Sequence, residues 1–473
     1  MSEMHDHAIE SIFQQVLGRL HEHFSQAQRA SLQLLIQRLL VAAGGIERIG
    51  DFRLLVLHGN DRLSAHLLAC LRAAQLSIAQ RASQTFGLRV LVLRQPGMSA
   101  VELARHAQCF DALFLHNDPR VELFIADPAG LRPFEARPGH AEPPHVLAKD
   151  AWLLFGHVLE GDVEGLVGSR MWLQMARACT SALTCEEGMS ALVTAVPAAQ
   201  RRRLLAWSRR CLRLAEPGRP ASLQCASTVI KAMARLQARM AQLPSGPCVL
   251  PPRSAPYSDA CGLQVLGLDE LLQHIGQRDR LEGMLSSASG CTVPKAGLEA
   301  WNDRPLVAHL RGLQAQYIRI ASDREGVHSA PGHTAQALQG TSQAVRLVAQ
   351  ERLLRGYGLG EEQLACLLFA PFIARGVRLE AWLRRCHPNM RVALPYVHNA
   401  LQGRPCPEAV VRWLVSVSGL SLAQMQGLYG LRLDDRTLCL PRYLARRDAG
   451  LRLLRQCKTF QESNMDRPAP PVS

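Results

Sequence analysis

Two short, unbroken apolar runs set the frame for this chain. Residues 52–57 (FRLLVL) and 88–93 (LRVLVL) are rich in Leu and Val, and the stretch between them, 61–80, has helical character. A strand buried on both faces reads as a continuous apolar run, whereas a strand with one wet face alternates. Two such strands joined through a helix form a parallel pair, because the crossover carries the chain back to the end it started from. Any fold for this chain has to enclose that β-α-β unit between layers of helix.

The pattern continues beyond the second run. Ser99 followed by Glu102 is a capping box for a helix to Cys109. Residues 112–115 read as a third strand, and 121–126 and 131–136 flank the turn sequence Asp127-Pro128-Ala129-Gly130 as a hairpin. The expected order is β-α-β-α-β-β, a small sheet that begins parallel. Two helices precede it. Ile9, Ile12, Phe13, Val16, Leu17, Leu20 and Phe24 form one stripe, and Leu32, Leu35, Ile36, Leu39 and Leu40 a second that ends at Gly44-Gly45.

From about residue 150 the sequence shows no clear strand. A chain of 473 residues is too long for one core and suits about two to four domains. The expected class is α+β, mostly α: an N-terminal α/β domain over 1–145, then all-helical domains. A basic helical domain spans 146–243. A linker over 244–261 is stiffened by Pro244, Pro247, Pro251, Pro252 and Pro256. Helices with a Gly/Ser/His-rich loop fill 262–340, a C-terminal helical domain covers 341–460, and a tail expected to be disordered covers 461–473.

Charge supplies the first functional clue. Residues 199–240 hold ten Lys/Arg against one acidic residue, and residues 375–473 hold sixteen against seven, so each block carries +9 in a chain of net +14. Clustered cations point to an anionic partner, nucleic acid or an acidic protein. Lys231, Arg235 and Arg239 recur at every fourth residue on one helix face, and Arg202, Arg209 and Arg213 lie in the run before them. Lysine is nearly absent, four residues against fifty Arg. That bias fits GC-rich bacterial coding, a demand for bidentate phosphate binding, or work inside a host cell that ubiquitinates lysine.

Residues 407–428 (PEAVVRWLVSVSGLSLAQMQGL) read as helix, Gly turn, helix. The pattern resembles a helix-turn-helix, with Leu414, Leu420, Met425 and Leu428 at its apolar positions, Gly419 at the turn and Ser421 as cap. Residues 396–407 resemble the late part of repressor-type domains. The resemblance implies that the second helix, with Gln424 and Gln426, enters a major groove. Val415 and Ser418 depart from the pattern. Arg442, Arg446 and Arg447 would add phosphate contacts.

The carboxyl ends of parallel strands supply the alternative. His58, with Asp61, follows the first expected strand, and His116, with Asp118, follows the third. At such an edge they would suit metal-assisted hydrolysis. No Gly-rich phosphate loop follows either strand, so a dinucleotide is not expected. Neither a cofactor nor a structural metal is called for. Fourteen singly placed Cys and the absence of an apolar leader suit a reducing cytoplasm. The apolar runs are far too short to insert in a membrane. The leading expectation is a non-enzymatic cytoplasmic bacterial regulator or adaptor. The alternatives are the hydrolase and a virulence effector delivered into host cells.

Overall fold

The computed structural model describes residues 2–94, 98–127, 130–135, 146–163, 264–272, 280–285, 304–319 and 343–430, with short stretches between 166 and 205. The class is α+β and mostly helical. Helices α1 (Ser2–His23) and α2 (Gln26–Ala43) lead into β1 (Arg53–His58), α3 (Arg62–Ala79), β2 (Gly87–Leu93), α4 (Ala100–Ala112), β3 (Val121–Asp127) and β4 (Gly130–Pro133). The expected stop and start are in place: Gly44 ends α2 at φ +85°, and Ser99 and Glu102 cap α4 reciprocally; α3 is capped by Asp61, one of the candidate catalytic residues.

Two further strands, β5 (Ala191–Thr194) and β6 (Gln264–Gly267), join the same sheet, in the order β4-β3-β2-β1-β5-β6. Neighbours are parallel except β3 and β4. This corrects the expectation of no strand after residue 150. A four-residue apolar run carries no period, and the partner that makes it a strand lies far away in sequence. Residues 112–115 are corrected as well. Leu113 caps the end of α4, Phe114 turns back at φ +50°, and Leu115 is buried, so the run is apolar because a helix end tucks under the sheet.

Both faces of the sheet are covered, which explains the unbroken runs. Leu54, Val56, Leu88, Val90 and Val92 pack toward α1–α4, while Leu55, Leu91 and Leu93 pack toward Ala178, Cys179, Ala182 and Leu183. A second core lies outside the sheet. It gathers α5 (Val146–Val158), α7 (Arg304–Gln314), α8 (Gln343–Tyr357), α9 (Glu361–Phe369), α10 (Leu379–Cys386), α11 (Leu394–Leu401), α12 (Glu408–Ser418) and α13 (Leu422–Gly430) around Trp152, Leu310, Leu367, Phe372 and Trp382. The short α6 (Arg280–Leu285) belongs with the sheet through Leu281 and Leu285. The two cores therefore interleave along the chain: α5 precedes β5 and β6 but packs with the C-terminal helices.

That packing demands glycine at two places. A Cβ on Gly156 would stand 2.5 Å from the Leu367 side chain, and one on Gly161 would stand 2.0 Å from the Leu368 carbonyl oxygen, at φ +74°. No described helix is long and apolar enough to cross a membrane.

Candidate functional site

Residues 407–428 form the expected helix, Gly turn and helix. Gly419 takes φ +71° and closes α12 on the Val415 carbonyl at 2.9 Å. Ser421 Oγ accepts from Gln424 N at 3.2 Å, while Gln424 Oε1 accepts from Ser421 N at 2.8 Å. Leu414, Leu420, Met425 and Leu428 are buried. Ser418, out of pattern in the sequence, is buried too. Its hydroxyl donates to Leu414 O at 2.7 Å and accepts from Leu420 N at 3.2 Å, so burial leaves no polar group unmet.

The second helix of the pair does not face outward through its glutamines. Gln424 is buried and donates to Asp150 Oδ2 at 3.1 Å; Gln426 donates to Ala400 O at 2.8 Å. Both amides serve internal contacts, to α5 and α11.

What faces outward is arginine. Residues 371–430 carry seven Arg against two Glu. Arg375, Arg384, Arg385, Arg391, Arg404 and Arg412 are exposed, and Arg378 is half-buried over the Glu160 carbonyl at 3.2 Å. Arg384 and Arg391 share Glu380 at 3.2 and 3.9 Å, and Arg412 reaches Glu408 at 3.6 Å. Exposed pairs of this kind are worth little and open readily to a stronger anion. Among the described residues, Arg375, Arg385 and Arg404 have no carboxylate partner; Arg385 donates to the Gln316 carbonyl at 3.1 Å. Arg375 is also strained: it sits at φ +55° between Ala374 at +49° and Gly376 at +77°. Residues other than glycine resist that left-handed region, and such strain concentrates where a side chain has work to do.

Part of the expected cationic surface falls elsewhere. Arg202 is exposed, and its neighbour Arg201 is paired with Asp269. Arg209, Arg213, Lys231, Arg235, Arg239, Arg442, Arg446 and Arg447 lie outside the described residues.

In the α/β unit the candidate residues separate. Because 112–115 is not a strand, His116 and Asp118 precede β3 instead of following a strand. His58 aligns with Val92 at the carboxyl end of β2, and Val121 aligns with Leu88 at the other end. At about 3.3 Å per residue, some 13 Å of strand lies between those backbone levels; the His58 and His116 rings do not pair but both pack on Phe110, at 5.2 and 6.0 Å from its centre. Asp61 Oδ1 accepts from Ser64 N at 3.1 Å, a cap. His116 is within 3.5 Å of Asp111. Asp118 has no side-chain exposure and is gripped by Arg72 at 2.6 Å and by Arg120 at 2.8 and 2.7 Å. Burial opposes its charge, but the hydrogen bonds from Arg120 and Arg72 prevail and hold the carboxyl below its ordinary pKa.

The partner His58 does have was missed in the sequence. His58 Nδ1 lies 2.8 Å from His106 Nδ1, both rings are buried, and Phe110 packs on His58 at 5.2 Å. Burial, then the neighbouring imidazole, lowers the pKa of His58 well below the usual value; burial lowers that of His106 to about 4. Both are neutral at pH 7, and one Nδ1 donates to the other. The available signal was periodicity. Leu103, His106, Ala107 and Phe110 share the inward stripe of α4. The pair sits at the end of β1, where the strand order reverses toward β5. Ligands of open α/β sheets collect in the crevice outside such a point. Among the described residues no three of His, Cys, Asp and Glu group closely enough to hold a metal ion. Comparison with protein families, with characterised proteins and with solved structures finds no match to this chain.

Proposed function

We propose that this protein is a bacterial, cytoplasmic regulator or adaptor that acts by binding, and that its C-terminal helical body holds a polyanion, with nucleic acid the preferred partner. One observation carries the reading: residues 371–430 hold seven Arg against two Glu, six of the arginines are exposed, and three of those six (Arg375, Arg385 and Arg404) have no carboxylate partner among the described residues. Guanidinium groups bind phosphate bidentately and are weakly hydrated, so an arginine surface suits a phosphate backbone better than a lysine one. With the glutamines of α13 turned inward, the contacts are to backbone and carry little sequence information.

Fluorescence anisotropy on a labelled mixed-sequence duplex tests this. With about six phosphate contacts the affinity should drop roughly 1,000-fold between 50 and 200 mM salt. Failure to bind the duplex at 50 mM salt removes the nucleic-acid reading. Retention of a polyglutamate probe under the same conditions would move the assignment to an acidic protein.

A further inference from the structure

Helix α11 carries an apolar stripe on its solvent side. A short 3-10 helix over Pro388–Ala393 runs directly into α11. Val392, Tyr396 and Asn399 follow at steps of four and three residues and so share a side, while Val397, Ala400 and Leu401 are buried in the core. Val392 is 85% exposed and Tyr396 49% exposed. Among the described residues, Tyr396 is the exposed member of the Phe, Trp and Tyr set. Just past the helix, Gly403 turns at φ +72°, where an added Cβ would meet nothing nearer than Gln426 Nε2 at 3.9 Å, so another molecule could come close to the backbone.

The charge around this stripe has one sign. Residues 391–404 hold Arg391 before it and Arg404 after it, and no Asp or Glu. Both arginines are exposed. Arg391 makes a loose pair with Glu380 at 3.9 Å, and Arg404 has no carboxylate partner among the described residues. At 1.5 Å per residue, about 20 Å of chain separates the two.

We propose that α11 and the turn before it form a stacking platform for single-stranded nucleic acid. One base lies on the Tyr396 ring, its neighbour rests on Val392, and Arg391 and Arg404 hold phosphates on either side. The inference rests on the polyanion reading and narrows it. In a duplex the base faces are stacked on one another and only their edges reach the grooves; in a single strand a base is free to lay its face on an aromatic ring. An acidic peptide would satisfy the arginines, but it meets the ring only through whatever aromatic residue it carries. Every nucleotide brings a flat base beside its phosphate, which is the pairing of groups that this surface repeats.

Fluorescence anisotropy with the full chain compares a labelled mixed-sequence single strand of about 12 nucleotides with the duplex of the same sequence at about 50 mM salt. The single strand should bind about tenfold more tightly. Tyr396→Ala should weaken it about tenfold, the loss of one stacked base, and change duplex affinity by less than about twofold. Tyr396→Phe keeps the ring and should bind as the parent chain does. Arg391→Gln and Arg404→Gln should each lower the single-strand salt slope by about 0.7. The substituted positions are exposed, so Tm should be unchanged throughout. Equal binding of the two forms overturns the platform and leaves the polyanion reading standing. A single-strand preference indifferent to Tyr396→Ala overturns it as well. Binding of neither form removes both, and retention of polyglutamate alone assigns the arginines to an acidic protein and overturns the platform.

Discussion

Asp118→Asn should loosen the whole α/β unit. Arg72 has no side-chain exposure and donates to Asp118 Oδ2 at 2.6 Å, Gln75 Oε1 at 2.7 Å, Leu113 O at 3.1 Å and Phe114 O at 3.0 Å. Asp118 is its only anionic partner among these. Arg72 and Arg120 also lie over the Phe13 ring, 5.0 and 4.7 Å from its centre, which ties α1 to the pair. The amide is isosteric with the carboxylate but leaves Arg72 charged, buried and surrounded only by neutral acceptors. Orphaning one member of a buried pair costs about 3–5 kcal/mol. The two cores need not melt together, so the assay is hydrogen exchange of peptides spanning β1 and β2. A loss of about 3 kcal/mol speeds exchange through opening roughly 150-fold. Arg72→Met with Asp118→Leu removes both charges and should restore most of the protection. An increase below tenfold for Asp118→Asn would refute the reasoning and return Asp118 to the candidates for acid–base work.

Acid should weaken the same unit through His58 and His106. Above pH 6.5 both are neutral in the folded and the unfolded chain. Between 6.5 and about 4 the unfolded chain binds protons that folded His106 refuses, so stability falls with pH across that window, by about 3 kcal/mol for this residue. Unfolding at pH 7.5 and 4.5 measures it, and His58→Phe with His106→Phe should flatten the profile. In the helical body, Gly161→Ala should cost more than about 2 kcal/mol, because the new Cβ meets the Leu368 carbonyl at a left-handed φ. Gly18→Ala, in open space on α1, should stabilise by about 0.5–1 kcal/mol, and thermal melts compare the two. Arg375→Gly should relieve about 1 kcal/mol of backbone strain while reducing the salt slope of duplex binding by about 0.9.

Local chemistry was readable where it is written in adjacent residues. The runs at 52–57 and 88–93, the caps at Asp61, Ser99 and Ser421, the αL glycines at 44 and 419, and the stripes of α1 and α2 all follow from steric and hydrogen-bond rules acting over a few positions. These were enough for the class and for the helix, Gly turn and helix of residues 407–428. The site was less readable. His58 was singled out, but its partner His106 looked like one more helix residue, and Asp118 looked catalytic when its charge is consumed by Arg72 and Arg120.

Tertiary contact settled the rest. Nothing within Ala191–Thr194 or Gln264–Gly267 separates a strand from a helical turn. β1 and then β5 make them strands, because their backbone groups find partners more than a hundred and about seventy residues away. The same holds for Gln424 and Gln426, whose composition suited base contact until packing against Asp150 and Ala400 took up their amides. A residue's own chemistry limits what it can bind. Which of those bonds it makes depends on the groups the fold brings within 3 Å, and that is a property of the whole chain.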